Sequence, residues 1–98
     1  MDTRRIGSLD VSVVGLGCNN FGRRLDESAT KNVVDAAIDA GITFFDTADM
    51  YGGTKSEEFL GRAIGRRRSD VIIATKFGWK VDDERQGARP EYVLRACE

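Results

Sequence analysis

The sequence contains no histidine, a single proline and only two cysteines, Cys18 and Cys97. Without histidine, ordinary zinc sites and the Ser-His-Asp and Cys-His triads are excluded from this chain, and no metal site is expected. Two distant cysteines do not make a disulfide framework, so a reducing compartment is the default. No run approaches the ~20 apolar residues of a membrane span, and Met1-Asp2-Thr3-Arg4-Arg5 leads into no signal-like apolar stretch. An excess of either charge is missing too: 15 Lys+Arg stand against 16 Asp+Glu, a net charge of −1. That balance gives no electrostatic reason to expect nucleic acid or an anionic membrane as partner. What remains is 98 residues, 41% hydrophobic and 32% charged, an ordinary globular composition for one small domain or a piece of a larger one. The expectation is a soluble, cytoplasmic chain. Its oligomeric state is not set by any of these features.

Strand-like and helix-like segments alternate along the chain. Residues 3–6 and 10–13 flank Gly7-Ser8-Leu9 and read as a short hairpin. Val13-Val14-Gly15-Leu16-Gly17 then reads as a buried strand. A helix is expected over Glu27–Ala40, with Ala29, Val33, Ala36, Ala37 and Ala40 on one face. Asp26 or Ser28 can cap its start, and Gly41 stands where a left-handed residue ends a helix. Ile42-Thr43-Phe44-Phe45 is the next strand, ending at Asp46. Thr54-Lys55-Ser56-Glu57 has the form of a capping box before a helix carrying Phe59, Leu60, Ala63 and Ile64 and stopping near Gly65. Arg66-Arg67-Arg68 is a candidate phosphate patch, though such a run is far more often a solvated turn. Val71-Ile72-Ile73-Ala74-Thr75 lacks polar alternation, which implies a strand buried on both faces. A last helix begins near Pro90. Strand ends recur about every 30 residues with one helix in each interval, the length of a right-handed βαβ crossover in a parallel sheet.

Three polar residues are placed by this reading on the carboxyl edge of the sheet, where active sites of parallel α/β folds collect. Asp46 closes the second strand, Tyr51 follows in the loop, and Lys76 closes the third. Acid, phenol and ammonium together suit proton transfer, because a nearby cation stabilises a phenolate and a carboxylate holds that cation in place. Taken singly, each residue has a commoner use as a cap, a packed ring or a solvated strand end.

Phe45-Asp46-Thr47-Ala48-Asp49-Met50-Tyr51-Gly52 resembles the F-D-T-A-x-x-Y-G signature of the aldo-keto reductases. Gly15-Leu16-Gly17, Ser56-Glu57-Glu58 with Leu60-Gly61, and Ala74-Thr75-Lys76-Phe77-Gly78 agree with that family in order. Arg4-Arg5-Ile6-Gly7 with Val11-Ser12 resembles the hairpin that plugs the bottom of its barrel. The resemblance implies an α/β fold, the N-terminal fragment of a (β/α)8 TIM barrel: a hairpin followed by about three parallel βα units, with residues 1–98 an incomplete domain. It further implies reduction of a small aldehyde or ketone with NADPH, less often NADH. Tyr51 would donate the proton, Lys76 would make it a stronger acid, and Asp46 would pair with Lys76. Gly17, Cys18 and Asn19, with Asp46, resemble the stretch that contacts the cofactor. Phe21 and Trp79 are candidates to line the substrate pocket, although a packed aromatic is the commoner use of such a ring. The family's tetrad also has a histidine, which the 30-residue rhythm puts near about position 105, on a fourth strand. A truncated chain of this kind is expected to be inactive alone.

Two other readings stand beside this one. A Rossmann-like dinucleotide fold fits Gly15-x-Gly17, but the third glycine of its fingerprint falls on Asn20 and the acidic residue is too far along the chain. A non-catalytic α/β interaction fragment is the other, its open strand edges covered by a partner.

Overall fold

A computed structural model describes all residues from Met1 to Glu98. Strands β1 (Thr3–Ile6) and β2 (Leu9–Ser12) form an antiparallel hairpin in which Ile6 pairs with Leu9. Gly7 at φ 60° makes the tight turn, a conformation that costs glycine little. Ser12 then locks the hairpin to the amino edge of the main sheet: its N–H donates to Thr43 Oγ1 (3.1 Å), and its Oγ accepts from the Thr43 N–H (2.9 Å). The second strand therefore stops at Ser12, and Val13 and Val14 are not part of a buried strand. Each is 48% exposed, because the chain turns there from hairpin into sheet.

The main sheet holds β3 (Gly15–Gly17), β4 (Phe44–Asp46) and β5 (Ile72–Ala74), parallel and in chain order. Leu16 lies opposite Phe45, and Phe45 opposite Ile73. With a side-chain period of two, these three residues share the face that packs on helices α1 (Glu27–Asp39) and α2 (Lys55–Ile64). Val34 and Ala37 from α1, and Leu60, Ala63 and Ile64 from α2, complete that core around Phe45. A cavity left by Phe45→Ala would cost about 3–5 kcal/mol.

The helix ends follow different rules. Asp26 caps α1, its carboxylate accepting from the Ala29 N–H (2.8 Å), and Gly41 at φ 91° turns the chain away after it. The capping box expected at Thr54 does not form. Thr54 sits at φ 78°, in the left-handed region, and makes no side-chain cap, while Glu57 Oε1 accepts from Thr75 Oγ1 instead (2.5 Å). Past α2 the chain continues in a 3-10 turn over Gly65–Asp70. There Arg67 is spent on structure: its Nη2 donates to Asp35 Oδ1 and to the Ala63 carbonyl, both at 2.6 Å.

The burial expected on both faces of β5 is also corrected. Val71 is 5% exposed, but Ile72–Ala74 are only half-buried, and no second layer covers the face that Ile72 shares with Gly15 and Phe44. The Rossmann-like alternative fails on local geometry: Gly15 and Gly17 are strand residues, and a turn built on the Asn20 carbonyl separates them from α1. Helix α3 (Pro90–Cys97) opens on proline, as expected. No helix is long and apolar enough to cross a membrane.

Candidate active site

The parallel register puts Gly17, Asp46 and Ala74 side by side at the carboxyl edge of the sheet. Lys76 follows two residues beyond β5. Its Nζ donates to Asp46 Oδ1 (2.7 Å) and to the Thr47 carbonyl (2.8 Å). The same ammonium lies 5.2 Å from the centroid of the Tyr51 ring, within cation–π range. The structure thus brings Asp46, Tyr51 and Lys76 together at one pole. The hydrogen bond that Lys76 donates to Asp46 holds its ammonium above the ordinary lysine value, against desolvation, with the charge of Asp46 and contact with Tyr51 adding to the rise. Both members of the ion pair are about half exposed, at 49% and 46%, so its worth to stability is at most about 1 kcal/mol. The pair's consequence is positional: it fixes a cation beside a phenol.

Backbone contacts hold the loop that carries Tyr51. Gly52 at φ 61° packs so tightly on the neighbouring loop that a Cβ there would stand 2.1 Å from the Phe21 carbonyl oxygen; only glycine fits. Ser56 Oγ donates to the Cys18 carbonyl (2.9 Å) and lies 2.8 Å from Thr47 Oγ1. Ser56 has one hydroxyl proton, so Thr47 is the donor between them. This buried relay ties the ends of β3 and β4 to the start of α2.

The other residues singled out by sequence divide. Gly17 has open space around its Cα, and Asn19 lines a cavity of about 610 Å³ with Arg23, Met50 and Tyr51. Cys18 is fully buried, and burial pushes its thiol up to about 12. Its N–H donates to the Asp46 carbonyl (2.9 Å) and its carbonyl accepts from Ser56, so Cys18 serves the fold and presents no side chain to a ligand. Phe21 is likewise corrected as a pocket residue: it is 2% exposed and its ring belongs to the core. Trp79 is 73% exposed and lines a second cavity, about 240 Å³, with Tyr51, Lys76 and Phe77.

Two contacts were not foreseen. The Tyr92 hydroxyl donates to Asp49 Oδ2, joining α3 to the Tyr51 loop, and the Thr47–Ser56–Cys18 relay was invisible as well. A tyrosine in an amphipathic helix carries no sequence mark of a partner 43 positions away.

The sequence profile described as Aldo/keto reductase family matches residues 13–98. This chain belongs to the aldo/keto reductase family. Among curated relatives, an uncharacterised oxidoreductase, YqkF of Bacillus subtilis, is 43% identical over 89 residues, which cover 89% of this chain and 28% of that protein. The aldo-keto reductase yakc of Schizosaccharomyces pombe, whose name specifies NADP(+), is 34% identical over 98% of this chain and 31% of its own length. Among solved structures, the holo form of aldo-keto reductase AKR11C1 from Bacillus halodurans superposes with a TM-score of 0.84 at 34% identity, over 98% of this chain and 34% of that one. The chain therefore spans about a third of the length of the family members it matches. The hairpin and the three parallel strands are the corresponding part of the family's barrel.

Proposed function

We propose that Asp46, Tyr51 and Lys76 are the proton-transfer group of a cytoplasmic oxidoreductase that reduces small aldehydes or ketones with NADPH, or less readily NADH. Residues 1–98 are one part of its barrel domain. The observation that carries this reading is the Lys76 ammonium, bonded to Asp46 at 2.7 Å and lying 5.2 Å from the Tyr51 ring centroid, at the mouth of a cavity. A carbonyl seated against Tyr51 receives the phenolic proton, and Lys76 stabilises the phenolate that remains. Asp46 and the Thr47 carbonyl keep the ammonium from swinging into solvent. Trp79 and Phe77 supply an apolar wall.

The edge beside Tyr51 suits the nicotinamide end of the cofactor. Gly17 leaves room, Asn19 offers an unpaired exposed amide, and Asp46 has a second carboxylate oxygen free for a hydroxyl. NADPH, when bound, supplies the hydride for the reduction. The name of the yakc relative, which specifies NADP(+), favours a nicotinamide dinucleotide over another cofactor.

The test uses the product of the whole reading frame that contains this chain, assayed by NADPH oxidation with a reactive aldehyde. Tyr51→Phe should abolish turnover while leaving cofactor affinity nearly intact, because the proton is needed only in the transition state. A variant that keeps most of its kcat removes Tyr51 from the acid role.

A further inference from the structure

The loop from Thr47 to Gly53 carries Tyr51, and one residue in it, Asp49, is held from two directions. Its N–H donates to the Lys76 carbonyl (3.1 Å), so its backbone is fastened to the residue whose ammonium faces Tyr51. Its carboxylate accepts from the hydroxyl of Tyr92, on α3. Tyr92 is 5% exposed and its ring meets Phe77, the neighbour of Lys76, edge to face at 6.5 Å between centroids and 86° between planes. The second oxygen, Asp49 Oδ1, is buried without a partner. A carboxylate gives up hydration this way only where another contact holds it. Asp49 and Tyr92 are therefore not loosely placed surface groups.

We propose that Asp49 and Tyr92 act as a pair of positioning residues, the Tyr92 hydroxyl bracing Asp49 so that the loop presents Tyr51 at a fixed distance from Lys76. The inference rests on the proton-transfer reading above. Tyr51 lies two residues beyond Asp49, and Phe77 one residue beyond Lys76, so the Tyr92 ring and hydroxyl touch both arms of the site at once. The hydrogen bond to Asp49 is also the main reason the Tyr92 phenol is held above its ordinary tyrosine value. The proton that makes the bond therefore stays on Tyr92 to a higher pH than on an ordinary phenol.

Misplacing a reacting group by a fraction of an ångström to 1 Å costs rate rather than ground-state binding, on the order of tenfold or more. In the product of the whole reading frame, Tyr92→Phe and Asp49→Ala should each lower kcat roughly tenfold, with the carbonyl KM and NADPH affinity held within about threefold. The double variant should be no slower than either single one, because both remove the same brace. Asp49→Asn keeps an acceptor oxygen and should recover most of the rate lost by Asp49→Ala. The inference is overturned by wild-type kcat in Tyr92→Phe, by losses that multiply in the double variant, or by Asp49→Asn as slow as Asp49→Ala. Absence of turnover in the unaltered protein removes the proton-transfer reading and this inference with it. An active protein that loses turnover with Tyr51→Phe and is indifferent to Tyr92→Phe removes the inference alone.

Discussion

Lys76 Nζ stands 2.7 Å from Asp46 Oδ1, and the contact bridges the carboxyl ends of two adjacent parallel strands. The residues are 30 positions apart in the chain, yet the in-register pairing of Asp46 with Ala74 leaves Lys76 one short step from the carboxylate. The same step carries the ammonium toward the Tyr51 ring.

Replacing that ammonium separates its chemical role from its structural one. Lys76→Met should eliminate carbonyl reduction by the product of the whole reading frame, since no cation remains to stabilise the phenolate. Stability at neutral pH should change by less than about 1 kcal/mol, because the ion pair is half solvated. The folded-state value of Lys76 is raised, so the pair's contribution is complete below the ordinary lysine value of about 10.4 and fades as pH rises through the raised value. Initial rates and urea midpoints on one preparation check both halves. A variant both inactive and grossly unstable at pH 7 contradicts the separation.

Acid should loosen the joint between α1 and the 3-10 turn that follows α2. Hydrogen bonds from Lys31 and then Arg67 hold the Asp35 carboxyl below its ordinary value. That contribution is present above the ordinary aspartate value of about 3.9 and disappears as pH falls through the lowered one. Asp35→Asn should therefore be less stable than the parent at pH 7, with the gap closing as pH falls through the lowered Asp35 value. Urea titrations of both proteins along an acid pH series test this; a gap that stays constant assigns the effect to packing.

The two cysteines should differ sharply in reactivity. Cys18 is fully buried with its thiol pushed up to about 12, while Cys97 is exposed. Alkylation depends on thiolate and access, so brief iodoacetamide treatment at pH 8 should add one label to the folded chain, at Cys97. Mass spectrometry of the digest locates it. Labelling of Cys18 at a comparable rate would show that the end of β3 opens readily.

Residues 1–98 taken alone should turn over no aldehyde and should associate in solution. Strands β3 and β5 both present unpaired edges, and Phe44 and Ile72 lie half-buried on a sheet face with no second layer. Open edges and an uncovered apolar face favour pairing with another copy. Phe77 and Trp79, 46% and 73% exposed, add to that surface. Size-exclusion chromatography and NADPH oxidation on the same sample decide the matter. A monomer with turnover above background reverses the expectation.

Much of the fold is local information. The alternation of apolar residues marked α1, Asp26 and Gly41 marked its ends, and the rhythm of strand ends marked the parallel sheet, because period, caps and left-handed turns act over a few residues. The convergence of Asp46, Tyr51 and Lys76 was legible for the same reason: strand carboxyl ends in a parallel sheet share one edge, whatever the loops do. The same local rules misplaced Thr54, where the loop's entry into α2 imposes φ 78° and leaves the side chain unable to cap.

Other features depended on what meets what. Phe21 and Trp79 are both aromatics flanked by polar loops, and nothing in their neighbourhoods separates them. The first is sealed into the core among residues of β4, α1 and α2, and the second is left in the cavity beside Tyr51. Cys18 and Ser56, and again Asp49 and Tyr92, meet 38 and 43 positions apart. A hydrogen bond across such a separation has no periodicity to announce it. The sequence determined the elements, their order and the edge where the chemistry gathers. Tertiary packing decided which polar groups are spent on holding that edge together and which are left free, since that depends on distances that exist only once the helices have closed over the sheet.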